Sequence, residues 1–364
     1  MTAELFIIAE AGVNHNGSLE RALEMVGVAA SAGAHAIKFQ TFSADKLARK
    51  DAQLADYQKT SEEDTRSQWD LLKGLELSHG DFLTIKQRCD DLEITFLSTG
   101  FDVSELHFLV EELSVPMVKI GSGDLTFAPM LLEAGLTGLP VVLSTGMANL
   151  SEIEEALGFI AVGYGMQAGI IPSGAAPTTE VRTFATNDES IGLLLREKVT
   201  VLHCTTQYPA ALEILNMRAM VTIAEKFNLR VGYSDHSAGS VASTVAVSLG
   251  ATVIEKHFTL DKALEGPDHA ASLDADELVE FINTLQNVGV VLGSSEKAAH
   301  PDEVSNRAAV RRSLVAASDI VQGQIIDARQ IDCRRPAVGR TSFEFWDVVG
   351  SVASRSYSAG DYLD

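Results

Sequence analysis

The sequence predicts an α/β chain: a parallel (β/α)8 TIM barrel followed by a small β-rich C-terminal domain. Three observations predict it. Eight short runs of β-branched and apolar residues occur in order over about 250 residues, nearly all ending in polar or charged side chains. Stretches with helical periodicity separate most of them. After Leu292 the chain changes character and reads as short strands and turns.

The first run, Leu5–Gly12 (LFIIAEAG), leads to Ser18–Ala32, whose apolar residues recur at helical spacing. Ala36–Thr41 (AIKFQT), Ile94–Thr99 (ITFLST) and Met117–Ser122 (MVKIGS) are the next three strands, with a helix over Ser104–Leu113. Pro140–Met147 (PVVLSTGM) precedes a helix over Ser151–Ile160, for which Ser151 and Glu154 predict a capping box. Val199–Thr206 (VTVLHCTT), a helix over Met217–Phe227, and the runs Val231–His236 and Thr252–Thr259 follow, and the last barrel helix covers Asp274–Leu292. No G-x-G-x-x-G follows the first strand, which disfavours a doubly wound open sheet. Two connections exceed a simple βα unit and read as long loops: 43–73, with Tyr57 and Trp69, and 162–198, rich in Gly, Ala, Pro and Thr. The predicted organisation is a catalytic barrel over 1–292, a polar linker over 293–310 and the small domain over 311–364. A faint repeat, SDIVQGQI (318–325) and RSYSAGDY (355–362), places turn glycines at Gly323 and Gly360. A domain of about 55 residues is marginal for an independent core, so the tail is expected to pack against the barrel or a partner subunit.

At 364 residues with 46% hydrophobic content the chain can build a large core. Its net charge of −22 argues against nucleic acid or an anionic membrane surface as partner, and means that an anionic substrate must be drawn in by a local cationic cluster. Cys89, Cys204 and Cys333 lack metal-motif spacing and cannot all pair, which fits a reducing compartment. Neither a signal peptide nor a membrane span is evident, and the expected location is cytoplasmic.

If the barrel forms, the active site lies at the C-terminal strand ends. Three chemical groups collect there. Lys38, Lys119 and Lys256, with the hydroxyls of Ser98, Thr99, Ser122, Ser144, Thr145, Thr205 and Ser234, would make a phosphate or carboxylate cradle. Gly121, Gly123 and Gly146 would let backbone N–H groups approach the anion. His236 and His257, at matching strand ends beside Asp235 and Glu255, read as two neutral ligands of one divalent ion, Mn2+ or Mg2+, with coordination positions left open. Asn14, Asn16, Gln40, Asp124, Tyr208 and Asp268 form a polar rim suited to a sugar. Joining an anionic phosphate ester to a carbonyl compound is the reaction class that uses all three groups.

The motifs AEAGVNHNG (9–17), AIKFQTF (36–42), KIGSGD (119–124), LSTGM (143–147), HCTTQYP (203–209), YSDH (233–236), EKHFTLD (255–261) and GPDH (266–269) together resemble the sialic acid synthase family, and the tail resembles its antifreeze-like (SAF) domain. The resemblance implies condensation of phosphoenolpyruvate with the open-chain aldehyde of an N-acylated mannose-type sugar, giving a nine-carbon α-keto acid and phosphate. It implies that His236 and His257 hold the metal, and that Lys38, Thr99, Lys119, Ser122, Ser144, Thr206 and Ser234 grip phosphoenolpyruvate. Asn16, Gln40, Asp124, Tyr208 and Asp268 would face the sugar. Arg335 would reach the partner's sugar pocket in a domain-swapped homodimer. Asp124 is the expected proton-handling carboxylate.

Some family members carry Glu where Asn16 and Asp124 stand and Asn where Thr206 stands, and the tail has Ala337-Val338-Gly339 where Gly-Asn-Gly is common. The first expectation for the acceptor is N-acetylmannosamine, giving N-acetylneuraminate. The HCTTQYP form with its long preceding insertion also resembles synthases making N,N'-diacetyllegionaminate from a 2,4-diacetamido-2,4,6-trideoxymannose, and pseudaminate synthase is a further neighbour. Two readings compete from other classes: a Schiff-base aldolase using Lys119 or Lys256, and a sugar-binding protein without catalysis.

Overall fold

Eight strands close in sequence order into a parallel barrel: β1 (Phe6–Gly12), β2 (Ala36–Thr41), β3 (Thr95–Gly100), β4 (Val118–Ile120), β5 (Val141–Ser144), β6 (Val199–Cys204), β7 (Arg230–Asp235) and β8 (Val253–His257). β1 and β8 complete the closure through the register Phe6↔Val253 to Glu10↔His257. The computed structural model describes residues 5–54 and 67–364, which fall in two compact units, Met1–Gly293 and Ser294–Asp364. Tyr57 lies outside the described residues.

Alternate residues of each strand face the barrel interior and the surrounding helices. Outward residues such as Ile7, Phe39, Phe96, Val141 and Tyr233 join the main core with the helices. Inward residues Ile8, Ala36, Leu97, Val142, Leu202 and Val253, with Phe6 and Met117, form a separate apolar plug inside the barrel. Gly232 completes this level: a Cβ there would lie 2.3 Å from the Val253 carbonyl oxygen, so β7 can approach β8 this closely only with glycine.

Three connecting segments differ from expectation. The helix after β5 spans Leu150–Gln167 and is capped by Asn149 with Glu152, not by Ser151 with Glu154, because the Asn149 side chain accepts from both Ser151 N and Glu152 N. The stretch read as a long loop over 162–198 finishes that helix and then forms two more, Thr179–Asn187 and Glu189–Lys198. Thr178 and Asp188 cap them by accepting backbone N–H groups, a signal hidden among the turn-forming residues around it. The polar stretch expected to be a linker contains a helix, Pro301–Val310, started by proline in its first turn and by Asp302 and Glu303 at its positive end.

The C-terminal unit pairs β9 (Ser313–Ala316) with β10 (Ile331–Arg334) antiparallel. The two halves of the sequence repeat meet, with Ile320 and Tyr357 exchanging both backbone hydrogen bonds at 2.9 Å. Leu314, Ala316, Ile320, Ile326, Ile331, Val348, Ala353, Tyr357 and Leu363 give this unit a core of its own. Among the described residues, no helix is long and apolar enough to cross a membrane.

Candidate active site

One step of two residues beyond the apolar plug, every strand turns polar on its inner face. Glu10, Lys38, Thr99, Lys119, Ser144, Cys204, Ser234 and Glu255 stand two positions after Ile8, Ala36, Leu97, Met117, Val142, Leu202, Gly232 and Val253. All eight are buried. Lys38 Nζ lies 2.7 Å from Glu10 Oε2 and 3.6 Å from Glu255 Oε2, and donates to Thr99 Oγ1 at 3.3 Å. Lys119 Nζ donates to Ser144 Oγ at 2.8 Å and to the Ile120 carbonyl at 3.0 Å, and sits 3.9 Å from Glu255 Oε1. Ser234 donates to Glu255 Oε1 at 2.8 Å.

Burial opposes every one of these charges, and the partners decide the outcome. Burial pushes Glu10 up to about 7 against the pull of Lys38. For Glu255 burial is outweighed by Lys119 and Lys38, which hold it down at about 2. Lys38, pressed downward by burial, is raised above its ordinary value by Glu10 and Glu255 together, while Lys119, with one weaker carboxylate contact, is lowered by burial.

Beside Lys119 the residues after β4 and β5 lie close together. Gly146 N–H donates to Ser122 Oγ at 2.9 Å, and Ser122 Oγ meets Cys204 Sγ at 3.1 Å. A Cβ on Gly146 would fall 2.3 Å from Thr206 Oγ1 and 2.9 Å from Ser122 Oγ, so a methyl group there would have to push both hydroxyls aside. Thr206 Oγ1 is buried with no hydrogen-bond partner, and so is Asp124 Oδ2. Burial, opposed by Lys119, pushes Asp124 up to about 6. Hydroxyls, a lysine and an unpartnered donor around Gly146 are groups that could hold an anion.

On the opposite side β7 and β8 bring His236 and His257 together, ring centroids 5.6 Å apart. His236 Nδ1 donates to the Thr205 carbonyl at 2.7 Å, which leaves its lone pair on Nε2. Tyr208 covers both rings, its hydroxyl 3.2 Å from His236 Nε2 and its ring centroid 5.7 Å from that of His257. His257 Nδ1 is buried with no hydrogen-bond partner. Burial keeps both imidazoles below the ordinary histidine value, hence neutral at pH 7. An orphaned nitrogen on a neutral imidazole pair, one ring buried and the other half-buried, fits a divalent cation. Among the described residues no third His, Cys, Asp or Glu joins them in a group that could hold a metal.

The sugar-side residues are placed less uniformly. Gln40 shares the inner face of β2 with Lys38. Asp268 is buried, and burial pushes it up to about 6. The Asn16 amide is engaged by the loop after β8, donating to the Glu265 carbonyl at 2.8 Å and accepting from His269 Nε2 at 3.1 Å. Asn14 likewise bonds the Phe258 carbonyl and Ser272. Arg335 belongs to the C-terminal unit, exposed just past β10.

Two groups expected in the cradle do not face it. Lys256 is one residue from His257 and therefore on the other face: it pairs with Asp235 at 3.2 Å and lies over the Phe281 ring in the helix Ala275–Leu292. It is 1% exposed behind the barrel wall, which removes it as a Schiff-base lysine. Ser98 also faces outward, bonded to Thr41 at 2.7 Å. Conversely, sequence reasoning assigned no role to Glu10 or Cys204 and counted Glu255 only as a neighbour of the histidines. The two-residue step back from His257 to Glu255, and from Lys38 to an apolar alanine, is the signal that picks out the inner face.

A parallel barrel with lysines, hydroxyls and a histidine pair gathered at the C-terminal ends of its strands has the layout on which TIM barrels carry active sites. The sequence profile of the NeuB family matches residues 25–297, and that of the SAF domain matches 311–364. The N,N'-diacetyllegionaminic acid synthase of Legionella pneumophila is 40% identical over 98% of this chain and 93% of its own. That of Campylobacter jejuni is 38% identical over 98% of both chains. The crystal structure of N-acetylneuraminic acid (sialic acid) synthetase from Leptospira borgpetersenii superposes with a TM-score of 0.66 at 31% identity, covering 83% of this chain and 90% of that one. The chain belongs to the NeuB family and ends in a SAF domain; its relatives are sialic, legionaminic and pseudaminic acid synthases.

Proposed function

We propose that the protein condenses phosphoenolpyruvate with 2,4-diacetamido-2,4,6-trideoxymannose, giving N,N'-diacetyllegionaminate and phosphate. The observation that carries the acceptor is the 40% and 38% identity to two legionaminic acid synthases over nearly the whole chain, against 31% to the N-acetylneuraminic acid synthetase. It favours this acceptor over the N-acetylmannosamine expected first.

Lys38 and Lys119 neutralise the phosphate and carboxylate of phosphoenolpyruvate, with Thr99, Ser122, Ser144, Thr206 and Ser234 supplying or sharing hydrogen bonds. A divalent ion held by His236 and His257 would polarise the sugar's aldehyde oxygen. Tyr208, Gln40, Asn16 and Asp268 orient the acceptor so that the enol carbon faces the aldehyde carbon. Carbon–carbon bond formation leaves the former enol C2 electron-poor; water adds there, and the C–O bond to phosphate breaks to leave the keto acid. Asp124, raised to about 6, takes the proton from that water. Arg335 of a second copy completes the sugar pocket in a domain-swapped dimer, so Arg335→Ala is expected to raise the acceptor KM about tenfold and leave that for phosphoenolpyruvate unchanged.

The test is phosphate release from phosphoenolpyruvate with Mn2+, comparing the trideoxy sugar with N-acetylmannosamine, each with and without EDTA. Chelator-sensitive release with the trideoxy sugar supports the reading. Preference for N-acetylmannosamine would move the assignment to N-acetylneuraminate, and silence with both would sink it.

A further inference from the structure

The buried pair Asp235–Lys256 lies behind the site, and the mechanism above does not use it. Its geometry joins the two histidine-bearing strand ends. Asp235 and Lys256 are register partners across β7 and β8, one residue before His236 and one before His257. Their side chains point away from the barrel interior and are 0% and 1% exposed. Asp235 Oδ2 meets Lys256 Nζ at 3.2 Å and accepts from Ser243 Oγ at 2.7 Å, on the helix Val241–Ser248. Asp235 Oδ1 accepts from Ser237 N–H at 2.8 Å and Ser237 Oγ at 2.7 Å. Lys256 Nζ closes the ring by donating to the Ser237 carbonyl.

His236 therefore sits between two residues, Asp235 and Ser237, that are both tied to the residue preceding His257. Its other neighbours add to the restraint: Ala210 N–H donates to the His236 carbonyl at 2.8 Å, and the Thr205 carbonyl holds the ring. A buried ion pair is poor evidence for stability, because desolvating two charges offsets most of their attraction. A ring of charge-assisted bonds does fix geometry, and a metal bound by two protein ligands has few other restraints on ligand spacing.

We infer that Asp235 and Lys256 are positioning residues that set the separation and direction of His236 and His257, and so tune divalent-metal affinity from outside the barrel. The inference rests on the metal reading given above. The experiment is calorimetric titration of the apoprotein with Mn2+, alongside phosphoenolpyruvate titration in EDTA and thermal melts. The double variant Asp235→Asn/Lys256→Met removes both charges together, so neither is left unpaired in the wall. It is expected to bind Mn2+ about ten- to a hundredfold more weakly. Its phosphoenolpyruvate affinity in EDTA should stay within about twofold of the parent, since sites without shared partners act independently. Ser243→Ala, a milder change that removes one bond to Asp235, is expected to weaken Mn2+ binding about threefold. Val247→Ala, one turn further along the same helix face and making no bond in the ring, controls for general loosening and should leave Mn2+ affinity unchanged.

If the parent itself fails to bind Mn2+, the metal reading falls and this inference with it. If the parent binds and both ring variants bind as tightly, the metal reading stands and the positioning role is overturned. Equal weakening in Val247→Ala would also overturn it, since loosened packing alone would then account for the loss.

Discussion

Two layers inside the same barrel, two residues apart on the same eight strands, have opposite chemistry. The lower holds Ile8, Ala36, Leu97, Val142, Leu202 and Val253, with Met117 and the space left by Gly232. The upper holds Glu10, Lys38, Thr99, Lys119, Ser144, Cys204, Ser234 and Glu255. The step between them is only about 6.6 Å along each strand. Both layers are buried, so exposure does not distinguish them. What differs is the direction of the energetics: the lower layer stabilises the fold by removing apolar surface from water, while the upper places charges where water cannot fully solvate them. The chain concentrates its cost in the upper layer, at the C-terminal ends of the strands.

That contrast can be broken from either side. Lys38→Met removes the cation between Glu10 and Glu255 and is expected to lower kcat/KM by about a thousandfold in a phosphate-release assay. Leu202→Ala opens a hole in the lower layer; it should cost about 2–5 kcal/mol in denaturant unfolding and leave both KM values unchanged. Lys38→Met also leaves Glu10 and Glu255 buried without their cation and should lose stability too; a loss of turnover in Leu202→Ala as steep as in Lys38→Met would erase the division between layers.

Asp124 sharpens the comparison through pH. Its folded value of about 6 stands above the ordinary 3.8, so folding favours the protonated form. The stability it contributes is present below about pH 4 and lost as pH rises through 6. Asp124→Asn should therefore stabilise the protein by about 1–3 kcal/mol at pH 8 and by little at pH 4, while lowering turnover at pH 8, where the parent carboxylate is ionised. Unfolding curves at the two pH values check the sign. The smallest expected effect is Gly146→Ala, whose methyl group would meet Thr206 and Ser122; the phosphoenolpyruvate KM should rise about tenfold with acceptor KM unchanged.

Much of this was legible in the sequence because parallel strands buried on both faces announce themselves as apolar runs ending in polar groups. Lys38, Thr99, Lys119, Ser144, Ser234 and His257 meet inside the barrel as their strand-end positions implied. The face of each residue was less legible. Lys256 sits in the same run as His257, yet alternation sends it outward to Asp235 and Phe281, while Glu255 turns inward to Ser234. Glu10 was hidden in an apolar strand whose partner, Lys38, is 28 residues away and visible only once β1 lies beside β2. The helices over 179–198 were masked by Thr, Asn and Asp, which serve as caps there as readily as they break structure elsewhere.

The most direct test of the layered account is calorimetric binding of phosphoenolpyruvate to the parent and to Lys119→Met, with thermal melts on both. Lys119 is a buried cation lowered by desolvation, so its loss should weaken phosphoenolpyruvate binding about a hundredfold while leaving Tm unchanged or higher. Unchanged affinity, or a loss of affinity matched by a collapse in Tm, would contradict the account.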